Sequence, residues 1–350
     1  MGERKITAVQ IWLLVGLFMI LMQVFIGGIT RLTGSGLSIT KWDIITGTFP
    51  PIHESDWNKE FDLYKQTPQY HKINKGMNIS DFKFIYFWEY FHRLWARSMG
   101  FVFLIPFIYF YIKGKLSSKL KSRLVKVFFL AVSVASLGWI MVASGLIERP
   151  WVNAYKLSLH LCLALILFLY LLRVVVKEFN VNVGNSDFHR YRFLYKILSV
   201  LLFIQIFFGG MMSGMKAALL YPTWPKIGQH WIPEIVLSID NWTFYNFGNY
   251  DKHLFLPTLI HFLHRNLAYI CFAFSLYIFF RTYNLLKSNL ITNAIYLQLL
   301  LFLSQVLLGI LILLNSQGSI PIWFGVFHQI IGFLLIGSCI FILETSSQNK

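Results

Sequence analysis

The sequence predicts an all-α integral membrane protein in which eight transmembrane helices form two pseudo-symmetric four-helix bundles. Three observations predict it. Of the 350 residues, 56% are hydrophobic and only 13% charged, with a mean hydropathy of +0.59, a composition outside the range of soluble domains. Apolar runs long enough to cross a bilayer, about 20 residues each, fall near 10–30, 84–112, 124–146, 157–176, 194–215, 257–280, 292–314 and 322–343. The same plan of helix ends, long loops and histidines then occurs twice along the chain.

The net charge of +16 is distributed as a membrane protein distributes it, and nucleic acid is not the expected partner. Between the second and third runs stand Lys113, Lys115, Lys119, Lys121, Arg123 and Lys126. Between the fourth and fifth come Arg173, Lys177, Arg190, Arg192 and Lys196, and between the sixth and seventh Arg281 and Lys287. The long segment 31–83 carries seven Lys/Arg against six Asp/Glu, and 216–256 three against three. Positive residues mark the cytoplasmic side. Both termini and the short basic loops are therefore expected in the cytoplasm, the two long loops outside, and the protein as a multi-pass component of a bacterial inner membrane. The first apolar run lacks a small-residue cleavage site and reads as an uncleaved helix. Cys162, Cys271 and Cys339 all lie within helices with no Cys-x-x-Cys pair, so neither a disulfide framework nor a thiolate cluster is indicated.

Taken in order, the first half comprises 1–180. Its first helix ends in Gly27-Gly28-Ile29-Thr30-Arg31-Leu32-Thr33-Gly34-Ser35-Gly36, where glycine permits either close approach to another group or close helix packing; both readings stand. The outer loop 31–83, rich in Trp, Tyr and Pro, is expected to form a small ordered cap. The second helix opens with Glu89-Tyr90-Phe91-His92-Arg93. Glu89 and His92 share one helical face, while Arg93 and Arg97, four apart, form a polar edge beside it. Ionisable groups at the mouth of a membrane helix are costly and by default functional, the alternative being side chains that reach for headgroups. The fourth helix carries His160 near its start.

The second half, 190–350, repeats this plan. Its first helix closes with Gly209-Gly210-Met211-Met212-Ser213-Gly214, an outer loop (216–256) containing Tyr221-Pro222-Thr223-Trp224-Pro225 follows, and the next helix opens with His261-Phe262-Leu263-His264-Arg265. The eighth helix carries His328. His92 and His160 are 68 residues apart, and His264 and His328 are 64 apart. With the N-terminus inside, all four histidines stand at the outer ends of even-numbered helices and share one depth.

Imidazole suits haem iron, zinc, copper and nickel. Two pairs, one per bundle, suit two planar macrocycles with axial ligands above and below each ring. Arg31, Arg93, Arg97 and Arg265 have the fork geometry that pairs with propionates; headgroup contact is the competing role for each. Where the first half has Glu89 the second has His261. A carboxylate one turn from a ligand is a candidate for proton transfer or for steadying a cation, and the asymmetry suggests one haem that undergoes chemistry and one that carries electrons. His261 is a rival to His264 for the ligand role.

The stretches GGITRLTGSGLSI (27–39), ITGTFPP (45–51), KQTPQYHKINKGM (65–77), FKFIYFWEYFHRLWAR (82–97), GWIMVASGL (138–146), SLHLCLALILF (158–168), YPTWP (221–225), HFLHRNLAY (261–269) and HQIIGFLL (328–335) resemble the haem A synthases of mitochondria and related proteobacteria, across nearly the whole chain. The resemblance implies oxidation of a ring methyl of haem O to a formyl group, through a hydroxylated intermediate, giving haem A for terminal oxidases. It implies that His92 and His160 hold the substrate haem, that His264 and His328 hold a permanent haem b through its iron, and that Glu89 is catalytic. It further implies haem O synthase as a supplier, an electron-transfer partner, and a homo-oligomer by family habit. The competing reading is a di-haem b electron-transfer subunit with no ring chemistry, which has no need of Glu89. A transporter lacks support, since no broken helix or midplane charge is present.

Overall fold

A computed structural model describes residues 5–40, 49–145, 149–181, 191–282 and 289–346. Glu3, Arg4, Arg190, Lys287, Leu146 and residues 45–48 of the ITGTFPP stretch lie outside these. The described chain is helical, with no strand beyond an isolated bridge between Ile227 and His230. Eight of its helices are long and apolar enough to cross a membrane, and they match the eight apolar runs to within a few residues at each end.

The helices are α1 (Ala8–Leu32), α2 (Glu54–Lys65), α3 (Pro68–Lys72), α4 (Ile79–Ile112), α5 (Ser118–Gly145), α6 (Ala154–Glu178), α7 (Arg192–Gly214), α8 (Glu234–Leu237), α9 (Phe244–Gly248), α10 (Phe255–Thr282), α11 (Asn289–Leu314) and α12 (Ile322–Thr345). Their starts obey local chemistry. Thr7 and Gln10 form a reciprocal capping box at α1, and Asn78 accepts from Asp81 N at α4, so donors with no intrahelical partner are satisfied. Thr67 caps α3 with Pro68 at its first position, where proline's missing N–H costs nothing.

The chain divides into two compact units, Met1–His160 and Leu161–Lys350, with the division inside α6. In the first unit α1 packs on α4. The indole of Trp12 donates to Val102 O at 2.8 Å and that of Trp95 to Met19 O at 3.0 Å; such interhelical bonds contribute about 0.6 kcal/mol each in a membrane. Phe101, Ile105, Ile108 and Ile112 of α4 are exposed, as a lipid-facing stripe requires.

The expected cap is present: α2 and α3 pack on the start of α4 through Phe61, Tyr64, Phe82, Ile85 and Tyr86. Tyr64 is fully buried, and burial pushes its phenol up to about 12, so it stays a donor, to Gln69 Oε1 at 3.0 Å. Gln69 Nε2 in turn donates to Gly34 O at 2.9 Å, which ties the cap to the glycine-rich exit of α1.

In the second unit α10 packs on α7, and α12 on both α7 and α11. Arg192, at the start of α7, donates to Leu343 O and Ser346 Oγ, satisfying one carbonyl at the end of α12. Glu344 pairs with Arg173 at 2.8 Å and Lys177 at 3.6 Å.

Candidate functional site

Each of the four sequence-predicted histidines faces a glycine on a neighbouring helix of its own unit. A Cβ placed on Gly27 of α1 would lie 3.1 Å from His92 Nε2 of α4, and one on Gly138 of α5 would lie 2.9 Å from His160 Cε1 of α6. In the second unit a Cβ on Gly209 of α7 would lie 3.3 Å from His264 Cε1 of α10, and one on Gly309 of α11 would lie 3.3 Å from His328 Cε1 of α12. Glycine is present because the imidazole needs the volume of a methyl group. Of the two readings of the exits at 27–36 and 209–214, close approach to another group is the one realised at Gly27 and Gly209.

Three of the four histidines also meet a glutamine one turn before that glycine, a partnership that sequence reading missed. Gln23 Nε2 lies 2.9 Å from His92 Nε2 and 3.3 Å from the His92 carbonyl. Gln205 Nε2 lies 3.4 Å from His264 Nε2 and 2.9 Å from the His264 carbonyl. Gln305 Nε2 lies 3.2 Å from His328 Nε2. The signal was available as the repeated pattern Gln-x-x-x-Gly at 23–27, 205–209 and 305–309. At the fourth place, 134–138, the pattern is Val-x-x-x-Gly, and a main-chain group of Val134 lies against His160.

The contacts settle the chemistry of the rings. An amide nitrogen that donates to a main-chain carbonyl is identified as nitrogen, and it has no lone pair to offer. Facing it, the imidazole Nε2 of His92 and of His264 accepts, so the proton resides on Nδ1. A metal on Nε2 would therefore take the place of the glutamine amide as the partner of that lone pair.

The rings of His264 and His328 lie with centroids 6.4 Å apart and their planes at 66° to one another. Two imidazoles on opposite sides of one metal, with bonds of about 2 Å each, place their centroids about 6 Å apart. His92 and His160 stand close enough for their charges to interact. Among the described residues no group of three or more His, Cys, Asp and Glu could hold a metal ion.

Beside the pairs, the two units carry a matching clamp with reversed polarity. Glu89 is 3% exposed. Its Oε2 accepts from Ser38 N at 2.6 Å, Ser38 Oγ at 2.7 Å and Ile39 N at 3.0 Å. Its Oε1 pairs with Arg93 Nη2 at 2.5 Å, and Arg93 also reaches Ile39 O at 3.4 Å. The carboxylate thus seats the loop that leaves α1. In the second unit His261 is 1% exposed and its Nε2 accepts from Arg265 Nη2 at 2.8 Å. Arg265 donates onward to Thr223 O at 2.8 Å, Pro225 O at 2.9 Å and Lys226 O at 2.6 Å, seating the loop that leaves α7. Position 89 and position 261 are equivalent, one catching loop N–H groups directly, the other orienting the arginine that catches loop carbonyls. The Nε2 lone pair of His261 accepts from Arg265, as that of His264 accepts from Gln205. Arg31 lies in the last turn of α1, and Arg97 follows Arg93 by one turn, near enough for their charges to interact.

Fold and site together define a multi-pass, all-α membrane protein with histidines paired inside its helical units. The model of the cytochrome oxidase assembly protein family, COX15-CtaA, matches residues 10–340. The chain is 37% identical over 345 residues to a "Heme A synthase" of Flavobacterium psychrophilum, covering 97% of this chain and 98% of that protein. It is also 37% identical over 344 residues to one from the Wolbachia of Brugia malayi (97% and 96% covered) and 37% over 350 residues to one from Flavobacterium johnsoniae (99% and 100%). The chain belongs to the COX15-CtaA family.

Proposed function

We propose that this chain is a haem A synthase, an oxidoreductase that converts a ring methyl of haem O into the formyl group of haem A through a hydroxylated intermediate. The observation that carries the reading is the close histidine pair, His264 and His328 with ring centroids 6.4 Å apart, in a chain whose full-length relatives are named for this activity. His264 and His328 would hold a resident haem b, and His92 and His160 the substrate haem O, each half (1–180 and 190–350) serving one haem. When bound, haem b supplies one-electron transfer, and methyl-to-formyl conversion removes four electrons in all.

The protein's own contribution is positional and electrostatic. Gly27 makes room for His92 and Gly138 for His160, and the Gln23 amide on His92 Nε2 would give way to the iron. Glu89 stands one turn from His92 with both oxygens engaged by Ser38, Ile39 and Arg93. A proton reaches Glu89 only as Arg93 or the 38–39 turn moves off it, so the carboxylate couples proton handling to the loop over the substrate half. Arg31, Arg93, Arg97 and Arg265 are the cations offered to propionates. Arg265 engages main-chain carbonyls through both Nη atoms, so a propionate contact there competes with the 223–226 loop.

The basic short loops support a topology with both termini in the cytoplasm of a bacterial inner membrane and the histidines near the outer face. Haem O synthase is the proposed supplier, with a separate electron-transfer partner and self-association in the membrane. The test is expression in a bacterium that makes haem O but not haem A, with haems extracted and identified by chromatography and mass. Hydroxylated haem and haem A are expected. Haem b with unaltered haem O, with a redox partner supplied, would replace the enzyme by a di-haem electron carrier.

A further inference from the structure

Of the donors that hold Glu89, one can change its role. We propose that this one, the Ser38 hydroxyl, makes Ser38 a positioning residue that lets Glu89 take up and give back a proton while the rest of its seat stays in place. The inference rests on the proton-handling role given to Glu89 under Proposed function.

Hydrogen accounting around the carboxyl singles it out. Oε2 accepts from Ser38 N at 2.6 Å, Ser38 Oγ at 2.7 Å and Ile39 N at 3.0 Å, and Oε1 pairs with Arg93 Nη2 at 2.5 Å. An ionised carboxylate only accepts and suits such a set, whereas a protonated one carries an O–H that needs an acceptor of its own. Main-chain N–H groups and a guanidinium only donate, but a hydroxyl can donate or accept. Ser38 Oγ is therefore the member of this set that can receive the carboxyl's proton in a hydrogen bond. Its own hydrogen then has two places to go, Ser35 O at 3.0 Å and Ile85 O at 3.3 Å. Ser38 is 1% exposed and Glu89 3%, and an O–H left without an acceptor at such a depth is costly.

With the proton on Oε2, that oxygen donates to Ser38 Oγ and still accepts from Ser38 N and Ile39 N, so the directions occupied around it are unchanged. Rotation of one hydroxyl is the least movement by which the 38–39 turn comes off the carboxylate. The step moves a proton and no electron: Oε2 gains or loses H+, and the Ser38 hydrogen swings between Glu89 and a main-chain carbonyl. Arg93 stays on Oε1 as the fixed charge. Tyr64 of α2 and Tyr86 of α4 are the other ionisable groups close enough for their charges to bear on Glu89, and Tyr64 is bonded to Gln69 and Asn74. In the second unit the equivalent His261 is held by Arg265 and by the main chain at Ala217, neither of which can change role. The switch is thus built into the half where the substrate is proposed to bind.

The test compares wild type, Ser38→Ala and Ser38→Thr in membranes of cells that make haem O but not haem A, with a redox partner supplied and with haem content and haem A formation measured in ordinary and in heavy water. Ser38→Ala keeps both main-chain N–H groups and the Arg93 pair and removes only the hydroxyl. It is expected to hold as much haem as wild type and to form haem A about 100-fold more slowly, the order that a positioned acid–base group contributes. Its ratio of rates in ordinary and heavy water should exceed that of wild type, because proton transfer has become the slow step. Ser38→Thr keeps the hydroxyl and should restore conversion; where its methyl group does not fit, the isotope ratio of Ser38→Ala decides alone. Haem A formed by Ser38→Ala at the wild-type rate would overturn the role, and so would a slow Ser38→Ala whose isotope ratio matches wild type, since the hydroxyl would then be a structural seat only. Absence of haem A from wild type itself removes the enzyme reading, which separates that failure from this one.

Discussion

Replacing each cradle glycine by alanine should weaken haem binding in a fixed order and in one half at a time. The order follows from the room available: an alanine Cβ would stand 2.9 Å from His160 in Gly138→Ala, 3.1 Å from His92 in Gly27→Ala, and 3.3 Å from His264 or His328 in Gly209→Ala or Gly309→Ala. Optimal carbon contacts lie near 3.5–4.0 Å, so the first intrudes by roughly 0.6 Å or more and the last two by only a few tenths. Overpacking costs about 1–3 kcal/mol, and about 1.4 kcal/mol is tenfold in affinity. Gly138→Ala should therefore fall at the upper end, on the order of a hundredfold, and Gly209→Ala and Gly309→Ala near fivefold. The assay is haem content of the purified variants, with haem b and haem O separated by chromatography. Gly27→Ala and Gly138→Ala should deplete the haem of the first half and spare haem b; Gly209→Ala and Gly309→Ala should do the reverse. Uniform loss of both haems, or a Gly138→Ala protein that binds like wild type while Gly309→Ala does not, would refute the geometry.

Three further outcomes are expected. Glu89→Ala should leave haem in the protein and abolish conversion, since the seat of the 38–39 turn and the partner of Arg93 are lost together; full activity in the extracted-haem assay would remove Glu89 from the mechanism. His264→Ala and His328→Ala should each lose the low-spin haem b spectrum, and an unchanged reduced-minus-oxidised spectrum in either would contradict the pair. Arg265→Lys should loosen the 221–228 loop, because an ammonium cannot reproduce the guanidinium fork that reaches Thr223, Pro225, Lys226 and His261. Faster proteolysis in that loop is the readout, and cleavage at the wild-type rate would show that the fork is dispensable.

The helices and the histidines were legible in the sequence because both signals are strong in a membrane. Length and apolarity alone define a span, and an ionisable residue within a span stands out against its surroundings. The glycines at 27 and 209 were visible, but glycine serves histidine approach and helix packing with the same pattern, and only the neighbouring helix distinguishes them. Gln23, Gln205 and Gln305 were passed over for a related reason: a single uncharged amide in an apolar helix is weakly marked, and its meaning depends on which ring lies across from it. The equivalence of Glu89 and His261 was visible as a register match, yet their use as loop clamps was not. It depends on main-chain groups of residues 38, 39 and 223–226, which carry no side-chain signature.

The most direct measurement is the haem composition of wild type and His92→Ala, expressed side by side in cells that make haem O but not haem A. Wild type should contain haem b, the hydroxylated intermediate and haem A, while His92→Ala should retain haem b and yield no oxidised product. Haem A formed equally by both, or by neither when a redox partner is supplied, would contradict a substrate site built on His92 and His160 beside a resident haem on His264 and His328.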